Sequence, residues 1–100
     1  MEQLTPSQLR HWLDDPQRDD PLLIDVREPW EFDAGHIPGA MPIPMRAVPA
    51  RYLELEHERE MVIICRSGAR SYQVGMFLEQ AGFTRVNNLY GGMIAWAQPS

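Results

Sequence analysis

Residues 61–81, MVIICRSGARSYQVGMFLEQA, carry the transition on which the fold of this 100-residue chain turns. Met61, Val62, Ile63 and Ile64 form an unbroken apolar run with β-branched residues at its centre, the pattern of a short strand buried on both faces of a parallel sheet. Beyond Cys65 the period changes. Val74, Phe77, Leu78 and Ala81 recur at i, i+3, i+4 and i+7, one apolar stripe of a helix, and Gly82 stands where a left-handed cap closes it. The only cysteine of the chain therefore lies between a strand and a helix.

That position predicts chemistry. Arg66, Ser67, Gly68, Ala69 and Arg70 must turn the chain into the helix, and Gly68 supplies the conformational freedom. The first N–H groups of a helix have no internal partners and the helix dipole is positive there, so an anion is stabilised at that end. The anion at hand is the thiolate of Cys65. Helix N-termini and nearby cations bring cysteine pKa values down to roughly 3.5–7.5, which makes Cys65 a candidate nucleophile. A buried structural cysteine is the competing reading. It explains neither Gly68 nor two arginines within five positions of the thiol.

Outward from this centre, Val86 to Leu89 reads as another short strand, and Gly91 and Gly92 introduce a last helix carrying Ile94 and Trp96. Those two glycines suit tight backbone packing better than a phosphate cradle, because a lone pair of glycines holds little phosphate-binding information. On the N-terminal side, Leu22 to Val26 forms a strand in which Asp25 is a carboxylate among apolar residues and needs a partner, either Arg27 or an arginine of the Cys65 loop. Pro29 opens a short helix through Ala34, ended by Gly35. Ala40 to Ile43 is a short irregular strand, Val48, Tyr52 and Leu55 mark a short helix, and His57 to Glu60 is a solvated loop. At the start, Thr5, Pro6 and Gln8 form a helix N-terminus with a capping box, Leu4 is placed to staple onto Leu9, and Trp12 and Leu13 continue the stripe. The segment from Asp14 to Asp20, containing Pro16, ends that helix, and His11 is a solvated helix residue. Strands alternating with helices indicate an α/β domain with a mainly parallel sheet, whose site lies beyond the carboxyl ends of its strands.

Length bounds the chain to one domain, residues 1–100, with a single core. Fourteen acidic residues against nine arginines and no lysine give a net charge of −5, which argues against nucleic acid as a partner. One cysteine makes no internal disulfide, and a free thiol suits a reducing compartment, with the cytoplasm the expectation. No long apolar segment predicts a membrane span and no secretory pattern is present.

CRSGAR, residues 65–70, resembles the active-site loop of rhodanese-type sulfurtransferases, a cysteine followed by four residues including a glycine and then an arginine. Leu23 to Ala40, LIDVREPWEFDAGHIPGA, is similar to the family's other hallmark segment, whose GHIPGA part is a structural turn and so implies His36 as a hydrogen-bonded scaffold residue rather than a base, and LYGGMIAW, Leu89 to Trp96, is similar to its glycine-rich closing segment. The resemblance implies a rhodanese-like three-layer sandwich with a central sheet of about five short strands and helices on both faces. It implies Cys65 as the residue that takes a sulfane sulfur from thiosulfate or a similar small anionic donor, and cyanide, a thiol or a protein as acceptor. Arg66, Ser67, Gly68, Ala69, Arg70 and Ser71 are then the substrate-binding residues, their amides holding the persulfide while the two arginine side chains attract the donor. Such a reaction needs no metal or organic cofactor, and His36, His57 and Cys65 lack zinc-ligand spacing. A monomer or weak dimer is expected.

Two other classes compete. A cysteine-dependent phosphatase or arsenate reductase also sets a thiolate and an arginine on a loop before a helix, but such loops resemble a cysteine and arginine separated by five residues, against four between Cys65 and Arg70. A noncatalytic rhodanese-like binding module is the other, and the intact Cys65 and Arg70 weigh against it.

Overall fold

The structure, a computed structural model, describes residues 1–98. Five strands form one sheet, β1 (Glu2–Leu4), β2 (Leu22–Asp25), β3 (Met41–Pro42), β4 (Met61–Ile64) and β5 (Val86–Leu89), in the order β1-β5-β4-β2-β3. Every adjacent pair is parallel. The helices are α1 (Pro6–Asp14), α2 (Pro29–Asp33), α3 (Val48–Arg51), α4 (Ala69–Gln80) and α5 (Gly92–Trp96).

The apolar run of β4 explains its central place. All four of its residues are buried, and their alternation divides the core into two layers. Met61, Ile63 and Cys65 face one side, where Ile24, Val26, Val74, Leu78 and Val86 pack around them. Val62 and Ile64 face the other, with Leu9, Trp12, Leu23 and Leu89. Residues from α4 thus cover one face of the sheet and residues from α1 the other, the three-layer arrangement expected.

The sequence reading holds for β2, β4, β5 and α4, and Gly82 follows α4 with φ +101°. The α1 capping box is formed as predicted, the Thr5 side chain accepting from Gln8 N–H at 3.1 Å and the Gln8 side chain accepting from Thr5 N–H at 2.9 Å. Leu4 packs in the same cluster as Leu9. Three details differ. The first strand, Glu2–Leu4, lies where the sequence reading marks only Leu4, as a staple onto Leu9, and it exists because it pairs with the edge of β5. The strand expected over Ala40–Ile43 shrinks to Met41–Pro42, since Pro42 has no N–H to donate to a ladder. The helix marked by Val48, Tyr52 and Leu55 is one turn of α-helix, α3, between 3₁₀ turns at Met45–Ala47 and Tyr52–Glu54.

Candidate active site

Cys65 follows the last residue of β4 at the carboxyl edge of the sheet and is completely buried. Its Sγ accepts a hydrogen bond from Gly68 N–H at 3.1 Å, and the Ser71 hydroxyl oxygen lies 3.3 Å from it. Burial alone pushes the thiol pKa up. Hydrogen bonds from the Ser71 hydroxyl and from the N–H groups of Ser71, Gly68 and Ser67 outweigh it together, holding the thiol below its ordinary 9.0.

The loop can aim its N–H groups at sulfur because its carbonyls are occupied elsewhere. Cys65 C=O accepts from Met93 N–H at 2.9 Å and Arg66 C=O from Ile94 N–H at 3.0 Å. The first turn of α5 therefore grips the outer side of the loop. Gly92 makes this possible, as a Cβ there would lie 2.5 Å from both carbonyl oxygens, Cys65 and Arg66. Gly91 and Gly92 are thus packing glycines, as the sequence suggested. Gly68 is the αL cap of α4, φ +96°, and a Cβ there would come within 3.2 Å of Gly91 N.

The predicted site residues are brought together on one loop but face different ways. Ser67 and Ala69 are exposed at its rim, Gly68 and Ser71 are buried beneath it, and Arg66 is exposed. Arg70 is committed to an ion pair, its Nη1 and Nη2 donating to Glu31 at 2.8 and 3.0 Å. Those bonds drop the Glu31 pKa from 4.5 to about 2 and raise that of Arg70. Asp25 takes its partner from its own strand end. Arg27 donates to its carboxylate at 2.8–3.1 Å and also to Gly35 C=O at 2.8 Å, which ties β2 to the turn after α2. His36 is the scaffold residue expected, with Nδ1 2.9 Å from Phe32 C=O and its ring stacked on Phe32.

Two participants escaped the sequence reading, Glu31 and Asn88. Asn88 is buried, and its Oδ1 lies 2.5 Å from Ser71 Oγ while its Nδ2 donates to Gly68 C=O at 3.2 Å and Gln3 Oε1 at 2.9 Å. The signal that marks Asn88 is the one that marked Asp25, a polar residue inside a short buried strand. Glu31 carries no such mark.

Comparison with known proteins gives the family of the chain. A family model described as the rhodanese-like domain matches residues 5–99. A protein from Allochromatium vinosum named sulfurtransferase is 51% identical over 80 residues, 80% of this chain and 75% of that one. The thiosulfate sulfurtransferase GlpE of Pseudoalteromonas translucida is 30% identical over 79 residues, 79% of this chain and 75% of that one. The crystal structure of SSP1007 from Staphylococcus saprophyticus superposes with a TM-score of 0.89 at 34% identity, covering 97% of this chain and 94% of that one. With the family model spanning residues 5–99 and a named sulfurtransferase 51% identical over 80 residues, the chain belongs to the rhodanese-like domain family, as a sulfurtransferase with a single buried cysteine.

Proposed function

We propose that the protein transfers a sulfane sulfur from thiosulfate to a thiophilic acceptor by two displacements at Cys65. In the first, the Cys65 thiolate attacks the outer sulfur of thiosulfate, the sulfur–sulfur bond of the donor breaks, and sulfite leaves with its electron pair. The persulfide formed carries its negative charge on the outer sulfur. In the second, cyanide or a thiolate attacks that outer sulfur and the Cys65 thiolate departs. The observation that carries this reading is the pair of donors within reach of Sγ, Gly68 N–H at 3.1 Å and the Ser71 hydroxyl at 3.3 Å, the second free to turn to a thiolate. A thiol so held ionises more readily than a free one, and its thiolate is both a nucleophile and a good leaving group. The similarity to a thiosulfate sulfurtransferase supports thiosulfate as the donor.

Within this scheme Arg66, exposed at the loop, attracts the dianionic donor, and the amides of the loop through Ser71 hold the persulfide. Arg70 has a different part. Its guanidinium is held by Glu31, so it fastens α4 to α2 and adds a fixed positive charge behind the loop. No second cysteine is present to resolve the persulfide internally, so the sulfur must leave to an external acceptor. Steady-state production of sulfite and thiocyanate from thiosulfate and cyanide tests the reading. Wild-type protein is expected to turn over and Cys65→Ser to be inactive.

A further inference from the structure

Ser71 presents one hydroxyl hydrogen to two acceptors. Its Oγ lies 3.3 Å from Cys65 Sγ and 2.5 Å from Asn88 Oδ1. The orientation of the Asn88 amide is settled by its other neighbours. Gly68 C=O, 3.2 Å away, can only accept, so the amide nitrogen must face it and the amide oxygen must face Ser71. The amide oxygen is the nearer and the stronger acceptor of the two when Cys65 is an uncharged thiol, so the Ser71 hydrogen belongs to Asn88 in that state. Ser71 is 0% exposed and Asn88 2%, so bulk water is not there to serve either group.

We propose that Asn88 is a positioning residue for sulfur transfer: its carbonyl holds the Ser71 hydrogen while Cys65 is uncharged and releases it to Sγ when the thiolate forms. This rests on the reading of Cys65 as the sulfur carrier. In the thiol, S–H donates to Ser71 Oγ and the hydroxyl donates to Asn88. When the proton leaves, the hydroxyl turns to the thiolate, and the short Ser71–Asn88 contact opens because no hydrogen remains in it. After attack on the donor, Sγ becomes a neutral sulfur bonded to carbon and to the outer sulfur, a weak acceptor, and the hydrogen returns to Asn88. When the acceptor takes the outer sulfur, the bonding electron pair goes back to Sγ and the hydroxyl follows. Asn88 thus competes with the thiolate for one hydrogen and sets how readily Cys65 ionises and leaves.

The charged and titratable groups on the surrounding elements are few. The loop and α4 bring Arg66, Arg70, Tyr72 and, near the far end of the helix, Glu79, which pairs with the N-terminal amine; α2 brings Glu31 and Asp33, β1 brings Glu2, and β2 ends in the closed Asp25–Arg27 pair. The turn before α3 brings Arg46, paired with Glu28. None of β4, β5 and α5 carries a charged residue. A substitution at Asn88 leaves all of these in place but also removes the amide that donates to Gly68 C=O, so the hydroxyl's part is the difference between the Asn88 effect with and without the Ser71 hydroxyl.

The test is a pH titration of the thiolate's ultraviolet absorbance, without any sulfur donor, in wild type, Asn88→Ala, Ser71→Ala and the double variant. Ser71→Ala is expected to raise the Cys65 pKa by about one unit, the scale of a hydrogen bond to a charged group. Asn88→Ala frees the hydroxyl for sulfur and is expected to lower the pKa by up to about one unit. In the Ser71→Ala background Asn88→Ala is expected to change nothing, because the shared hydrogen is gone. If Asn88→Ala does not fold, Asn88→Leu, nearly isosteric and without an acceptor, replaces it with the same expectation. An unchanged or raised pKa in the Asn88 variant, or the same shift with and without the Ser71 hydroxyl, would overturn the proposal. Since the titration involves no donor, the predicted shifts in a protein that forms no persulfide would count against the proposed function and leave the hydroxyl switch standing.

Discussion

Arg70, in the first turn of α4, and Glu31, in α2, are joined by two side-by-side hydrogen bonds of 2.8 and 3.0 Å across 39 residues of sequence. The arginine that ends the CRSGAR motif is therefore a brace between two elements at the carboxyl edge of the sheet. Glu31, whose side chain is 10% exposed, is the more enclosed partner, and Arg70 at 35% keeps one side toward solvent.

Removing the brace has a stability signature with a defined pH window. Because Glu31 titrates near 2 in the fold and at 4.5 ordinarily, its pairing stabilises the fold fully above pH 4.5 and loses that effect as pH falls toward 2. Arg70→Ala is expected to lose about 1 kcal/mol at neutral pH, the upper end for a bidentate pair open to solvent. The gap between wild type and variant, followed by urea unfolding, should narrow as pH falls through that window. A gap independent of pH would show that the ion pair is not its source.

Arg66 should behave differently from Arg70. It is exposed, so Arg66→Ala is expected to raise KM for thiosulfate several-fold with kcat nearly kept. The effect should fade with added salt, since exposed charges are screened over about 8–10 Å at ordinary ionic strength. Steady-state kinetics at two salt concentrations check this, and an unchanged KM would remove Arg66 from donor capture.

The contrast between the two arginines was not legible in the sequence. Cys65, its loop and the flanking β4 and α4 were, because the apolar run is short and rich in β-branched residues, as a buried strand is, and the stripe after it has the helical period. Glu31 sits in α2 with nothing to single it out, and its meeting with Arg70 is produced by the sheet order, which places β2 beside β4. The edge strand Glu2–Leu4 was hidden for a similar reason. Two of its three residues are exposed and none is β-branched, so the strand is imposed by its neighbour rather than by its own propensity. The break around α3 follows from Pro49 in the first turn and from a segment too short to sustain a helix without its neighbours' packing.

The two glycine classes separate cleanly in a paired experiment. Gly39 has φ +88° and nothing within 4 Å of where a Cβ would stand, so Gly39→Ala should lose only the backbone cost, about 1–2 kcal/mol. Gly92 has φ +58° and a Cβ there would meet Cys65 and Arg66 carbonyl oxygens at 2.5 Å. Gly92→Ala should add about 1–3 kcal/mol of overpacking and also lower kcat, because the strain falls on the loop that holds Sγ. Equal losses in the two variants, with full activity in both, would contradict the role given to α5.

Loop length should set the reaction class. With four residues between Cys65 and Arg70, Gly68 N–H already lies 3.1 Å from Sγ, which leaves little room for a tetrahedral oxyanion inside the loop. Negligible turnover of aryl phosphates is expected. One Gly inserted after Gly68 should lower sulfur transfer by about 10²–10³, the loss typical when a preorganised donor is displaced. Phosphatase activity in the unaltered protein, abolished by Cys65→Ser, would favour the oxyanion chemistry instead.

The central claim, that sulfur travels on Cys65, is tested most directly by intact-protein mass spectrometry before and after thiosulfate. The account predicts that the wild-type mass rises by one sulfur atom, that cyanide returns it to the starting value, and that Cys65→Ser does not change. A wild-type protein whose mass stays constant under thiosulfate, or a Cys65→Ser protein that still gains the sulfur, would contradict it.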